Sequence, residues 1–196
     1  MSATRQQTQT MTVEEYLAFE RASEEKHEYL NGEIFMMSGA SRHHNIIQIN
    51  VAASLHAQLR QRSCTAFPSD MRVRISTGLY TYPDISVVCD PPQYDESEYQ
   101  DTLLNPTLIV EVLSPSTESF DRGRKFQHYR ALASLQEYVL IAQDSAHIER
   151  YLRQPNDEWL LADATGLDAS IELSSIGCTL VLADVYEKVT FEDSPA

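Results

Sequence analysis

Two runs decide how this chain reads: Tyr82-Pro83-Asp84-Ile85-Ser86-Val87-Val88 and Leu108-Ile109-Val110-Glu111-Val112-Leu113. Each is apolar and rich in β-branched residues, the pattern of a buried strand, and each carries one acid, Asp84 or Glu111. A carboxylate in a buried strand is costly unless a partner, hydrogen bonds or a metal compensates it. Pro83 has no N–H, so it belongs at an edge, a bulge, or a point where neighbouring strands part and a carboxylate can face a cleft. Asp121-Arg122-Gly123-Arg124-Lys125 follows closely and places a lysine on the next helix. Two acids salt-bridged to core arginines would be the plainer explanation, since ion pairs also sit in such runs.

Outward from this centre, the pattern is that of an α/β protein. Thr12 and Glu15 fit a capping box that opens a helix ending near Ala22. Residues 28–37 read as a hairpin turning at Asn31-Gly32, with Glu33 a strand acid near the sheet edge, where a solvated charge is the simpler role. Residues 41–62 form the clearest helix, with Ile47, Val51, Leu55 and Leu59 on one stripe. His44 shares that stripe and either points into a site at the helix start or caps the core edge. Residues 70–76 alternate, predicting one buried face and a basic outer face, and residues 80–88 read as the following strand. Residues 90–105 hold Pro91-Pro92 and clustered acids, predicting a long, mobile surface loop. A central strand over 107–113, a helix over 119–133 and a buried strand over 137–142 predict a right-handed crossover in a mixed sheet. Residues 146–153, 159–163 and 169–173 read as meandering strands, and 180–186 as a strand or a last helical turn.

At 196 residues the chain is expected to be one domain over 11–191, with a polar arm at 1–10 and a tail at 192–196. No apolar run reaches the roughly 20 residues of a membrane helix, and the N-terminus lacks the apolar core of a secretory signal. Cys64, Cys89 and Cys178 are odd in number and widely spaced, so reduced thiols in a cytoplasmic protein are expected. A net charge of −14 opposes tight, non-specific binding to duplex DNA. Arg122, Arg124, Lys125 and Arg130 nonetheless cluster on one helix, so an acidic protein can still carry a locally basic site.

The chemistry these residues suggest is metal-assisted phosphodiester hydrolysis. If Asp84 and Glu111 lie on neighbouring strands, their repulsion is relieved by a cation between them, and Mg²⁺ suits oxygen ligands completed by water. Such a metal lowers the pKa of a bound water and polarises a phosphoryl oxygen. The chain has three lysines, Lys26, Lys125 and Lys188, and only Lys125 closely follows the acids. Asp121, one turn earlier, is placed to hold it.

These pieces resemble the PD-(D/E)XK nucleases and, more closely, the Uma-two family within the restriction-endonuclease-like superfamily. The matching stretches are Glu28-Tyr29-Leu30-Asn31-Gly32-Glu33-Ile34, His44, Tyr82-Pro83-Asp84, Val110-Glu111-Val112-Leu113-Ser114-Pro115-Ser116-Thr117 and residues 121–129. The resemblance implies a restriction-endonuclease-like α/β/α core with a mixed central sheet and additional antiparallel strands. It also implies Mg²⁺ or Mn²⁺ as cofactor, DNA as substrate and a homodimer. Asp84 and Glu111 would hold the metal and act in catalysis with Lys125; Glu33, His44 and Asp121 would assist, and Arg122 and Arg124 would contact DNA. The superfamily's lysine normally stands two residues after the acid, where this chain has Leu113; a lysine on the following helix, Lys125, takes its place. The competing readings are a non-catalytic, dimeric binding module on the nuclease fold and, more weakly, a two-carboxylate glycosidase.

Overall fold

The computed structural model describes residues 10–37, 39–95 and 98–191. The expected arm, apart from Thr10, and the expected tail lie outside them. Thr12 opens α1 (Val13–Ala22): its hydroxyl accepts the Glu15 N–H, and the Glu15 carboxylate accepts the Thr12 N–H. Strands β1 (His27–Leu30) and β2 (Glu33–Met36) make the expected hairpin, with Asn31 and Gly32 at φ of 49° and 102°. Both positive values match the strand twist of a tight turn. Helix α2 (Arg42–Leu59) is capped by Ser41 and buries Ile47, Val51, Leu55 and Leu59.

Next come β3 (Thr65–Pro68), β4 (Arg72–Arg74), β5 (Leu79–Thr81), β6 (Ile85–Val88), β7 (Thr102–Leu103) and β8 (Leu108–Val112). A helical segment follows, built from α3 (Glu118–Phe120), a π-helical turn (Asp121–Lys125) and α4 (Phe126–Tyr129). Then come β9 (Glu137–Ile141), β10 (His147–Arg153), β11 (Trp159–Thr165), β12 (Ser170–Leu173), β13 (Cys178–Val181) and α5 (Leu182–Val185). The ambiguous stretch over 180–186 therefore holds the end of a strand and then a helical turn.

The central sheet has six strands in the order β11-β10-β9-β8-β6-β3; β8 and β9 are parallel and its other pairs antiparallel. Its Leu108, Val110 and Val112 side pack with Ile47, Val51 and Leu55 of α2. Its Ile109, Leu113 and Tyr138 side pack with Tyr129 of α4 and with Val73, Ile75 and Leu79. Those last residues belong to or flank a second sheet, β2-β1-β5-β4-β7, which covers this face together with the helical segment. Helix, mixed sheet and helix thus stack in layers, and β12 with β13 adds a small antiparallel pair.

Four expectations change. The single strand expected over 80–88 is two strands in different sheets, because the chain leaves one sheet and enters the other at Tyr82-Pro83-Asp84. The expected surface loop at 90–105 is partly core: β7 pairs parallel with β4, and Thr102 and Leu103 are fully buried. Asn105 ties this segment by accepting the Gln93 N–H and donating to the Pro91 carbonyl. Arg72 is not on a basic outer face; it is buried against Asp101 at 3.0 Å, the Tyr82 hydroxyl at 2.9 Å and Thr102 at 3.0 Å. Finally, Cys64 and Cys89 form a disulfide, leaving Cys178 as a free, buried thiol. They flank the Thr65–Val88 pair of β3 and β6, so sheet register brings together cysteines 25 positions apart.

Candidate active site

Strand β6 pairs antiparallel with β8 through Ile85–Val110, and Asp84 is the residue just before this ladder. Pro83 cannot donate an N–H, so the ladder ends there and a side chain takes over. Asp84 Oδ2 accepts the Val112 N–H at 2.7 Å, which holds its carboxylate beside Glu111 on β8. From α2, His44 Nε2 lies 2.7 Å from Asp84 Oδ1, and the Gln48 amide donates to the Asp84 carbonyl at 3.0 Å. His44 stands in the first turn of α2, with its own N–H on the Ser41 cap. Cap, helix start and strand end are thereby locked together.

Glu111 points to the opposite layer. Its Oε1 accepts the Tyr129 hydroxyl at 2.8 Å and lies 2.9 Å from Lys125 Nζ. Lys125 also meets Glu28 Oε1 at 3.2 Å and Asp121 Oδ1 at 3.5 Å. Glu28 in turn accepts a short hydrogen bond from the Thr81 hydroxyl. The π turn contributes to this convergence: Asp121, Lys125 and Tyr129 follow one another at four-residue spacing, and all three are buried. π turns are frequent at functional sites.

The electrostatics follow from three acids around one ammonium. Burial pushes the Glu111 carboxyl up to about 8; Lys125 opposes the rise, and Asp121 and Asp84 add to it. Burial disfavours the charged form of Lys125, yet Glu111, Tyr129, Glu28 and Asp121 outweigh it and hold its pKa well above the usual value. Burial likewise raises Asp121, against the pull of Lys125. The charged form of Lys125 is thus favoured, with three acids around it.

The expected residues divide accordingly. His44 pairs with Asp84, while Lys125 gathers Glu111 and Asp121 on the opposite layer, with the Asp84 charge felt at Glu111. Glu33 does not join them: it lies exposed on edge strand β2, opposite Leu30. The acid that reaches Lys125 from this hairpin is Glu28, whose role sequence reasoning missed. Parity held a signal, because Glu28 shares a strand face with Leu30, and Leu30 packs on the Tyr129 cluster. Tyr129 was not among the expected site residues, yet its hydroxyl donates to Glu111. Arg122 is engaged by Glu118 at 2.7 Å and, more closely, by Glu149, whereas Arg124 is exposed.

Among the described residues, no group of three or more His, Cys, Asp and Glu side chains forms a ready metal cage. Asp84 and Glu111 carry the donor type that a hard divalent cation takes. They are oxygen donors, and Mg²⁺ is commonly held by one or two carboxylates plus water and substrate phosphate. Burial is the chief cause of the upward shift of Glu111, and the Asp84 charge adds to it.

Comparison with known proteins agrees with this architecture. Two uncharacterized proteins of Synechocystis sp. are similar over most of their length. One, slr1290, is 36% identical over 182 residues, covering 92% of this chain and 94% of its own. The other, sll1609, is 39% identical over 168 residues, covering 85% and 94%. A crystal structure from Anabaena variabilis, titled as a "putative nuclease belonging to DUF820", superposes with a TM-score of 0.75. It covers 92% of this chain and 99% of that one at 22% identity, so the two share a fold. Residues 13–183 match the Uma2 family, described as "Putative restriction endonuclease", and the chain belongs to that family.

Proposed function

We propose that this protein is a Mg²⁺- or Mn²⁺-dependent endonuclease that hydrolyses DNA phosphodiester bonds. The observation that carries the reading is the buried contact of Lys125 Nζ with Glu111 Oε1 at 2.9 Å, beside Asp84. A lysine from the following helix thereby reaches the carboxylate that Leu113 cannot serve. Asp84 and Glu111 would hold the cation, and its chemistry there would be to acidify a bound water and polarise a phosphoryl oxygen. His44 fixes the Asp84 carboxylate, and Tyr129 fixes that of Glu111. Lys125 donates to the negative charge that develops on phosphorus oxygens; its longest contact, Asp121 at 3.5 Å, is the easiest to exchange for substrate. Exposed Arg124 is the better candidate for a DNA phosphate, since Arg122 is neutralised within the protein. A second copy of the chain is the proposed partner, because a duplex presents two strands to cut.

The test is cleavage of plasmid DNA with Mg²⁺ or Mn²⁺ by the parent, Asp84→Ala, Glu111→Ala and Lys125→Ala. Each substitution is expected to reduce the rate by about 10² to 10³. Equal cutting by Lys125→Ala would remove the lysine from the mechanism. A second reading, a non-catalytic binding module, draws on the net charge of −14 and the internal pairing of Arg122. A parent that cuts no DNA with either metal would favour it.

A further inference from the structure

Lys125 is held from two sheets, and the outer hold has no role in the reading so far. Glu28 stands on β1 in the second sheet, whereas Glu111 stands on β8 in the central one. Between them Lys125 Nζ lies 3.2 Å from Glu28 Oε1 and 2.9 Å from Glu111 Oε1. The Thr81 side chain is fully buried on β5, the strand beside β1, and its hydroxyl donates to the same Glu28 oxygen. A lysine ammonium has three N–H donors, so Glu28, Glu111 and Asp121 together match its full capacity. Lys125 is long and flexible, and with one acid alone its ammonium would have several places to settle.

We propose that Glu28 is a positioning residue for Lys125: anchored by Thr81, it fixes the ammonium between the sheets and keeps Glu111 from taking it as sole partner. In this way the second sheet, which carries none of the proposed metal ligands, sets the geometry of the site. Glu28→Gln keeps the size and the Thr81 hydrogen bond but removes the charge that holds Lys125. The catalytic meaning of this role rests on the nuclease reading; the contact itself does not.

The contact can be read without any cleavage. With ¹⁵N-labelled lysine, only three side-chain ammonium groups can appear. Lys26 and Lys188 have side chains 37% and 79% exposed, whereas Lys125 is 7% exposed, so its ammonium should be the slowest of the three to exchange. The protected ammonium signal is therefore that of Lys125, and its loss in Lys125→Arg confirms the assignment. In full-length Glu28→Gln this signal is expected to move and to exchange faster by at least about tenfold, because one of three acceptors has lost its charge. Thr81→Val, which removes only the hydroxyl, should shift it in the same direction by less; it also serves if Glu28→Gln fails to fold. With Mg²⁺ and plasmid DNA, Glu28→Gln should lower kcat about 10-fold with little change in KM, the size typical of losing a partner that orients a reacting group. An unmoved, equally protected Lys125 signal in a folded Glu28→Gln or Thr81→Val protein would overturn the proposal. A shifted signal in a protein whose parent never cuts DNA would keep the contact and reject the nuclease reading.

Discussion

Arg72 shows what one buried charge demands of its neighbours. It is 2% exposed and shares Asp101 with Arg21, whose Nε lies 2.8 Å from the carboxylate. Burial alone would raise Asp101, but the Arg21 hydrogen bond and the Arg72 charge outweigh it and hold the carboxyl at about 2. A depressed folded value contributes stability that is complete above the ordinary carboxylate range, near pH 4, and is lost as pH falls through about 2. Asp101→Asn should therefore destabilise the protein near neutral pH by about 3 kcal/mol, since it removes the carboxylate paired with a buried arginine. It should also flatten the fall in melting temperature between about pH 4 and pH 2. Thermal unfolding of parent and variant across that range checks this; an equally steep fall in the variant would show that other carboxylates control acid stability.

Among the elements, the π turn Asp121–Lys125 matters most for the site. A regular helix over 119–133 was expected; the observed segment is helical over Glu118–Tyr129 but widens in the middle. Deleting Gly123 should restore a regular helix and shift Lys125 relative to Asp121 by one residue's rise, about 1.5 Å. Asp121, Lys125 and Tyr129 would still share a face, but the Lys125 ammonium would be displaced from its observed contacts with Glu111 and Glu28. Helix content by circular dichroism should persist while cleavage falls by about 10². Gly123→Ala is the control: nothing lies within 4 Å of a Cβ built there, so it should unfold within about 1 kcal/mol of the parent. Normal cleavage by the deletion variant would show that the widened turn is incidental to the lysine's placement.

For the whole molecule, the Cys64–Cys89 bond staples edge strand β3 to β6, the strand that begins beside Asp84. It closes a loop spanning 25 positions, and a loop of that length is worth about 3 kcal/mol through the unfolded chain. Denatured, unreduced protein should therefore titrate as one thiol per chain, from Cys178, and as three after reduction. Reduction should lower the unfolding free energy by that amount; three thiols without reductant would return the cysteines to the reduced state that their spacing suggests. No helix among the described residues is long and apolar enough to cross a membrane.

The sequence by itself determined what local forces decide. The Thr12–Glu15 cap, the Asn31-Gly32 turn and the four-residue stripe of α2 follow from hydrogen bonds and periodicity within a few residues. The buried strand carrying Glu111 was legible for the same reason, and so was the break at Pro83, which lacks a donor, whereas Asp84 lies just before β6 rather than within it. What tertiary structure alone decided depends on register between distant segments. Two sheets part at Tyr82-Pro83-Asp84, a buried pocket encloses Arg72, and a disulfide joins positions 64 and 89. Glu28 is the clearest case. Along the chain it differs little from Glu33, but pairing of β1 with β5 sets Glu28 beside Thr81 and Lys125, while Glu33 faces solvent on the edge. A strand acid's environment is fixed by which strand lies beside it, and that choice is made by packing across the whole molecule rather than by the residues on either side.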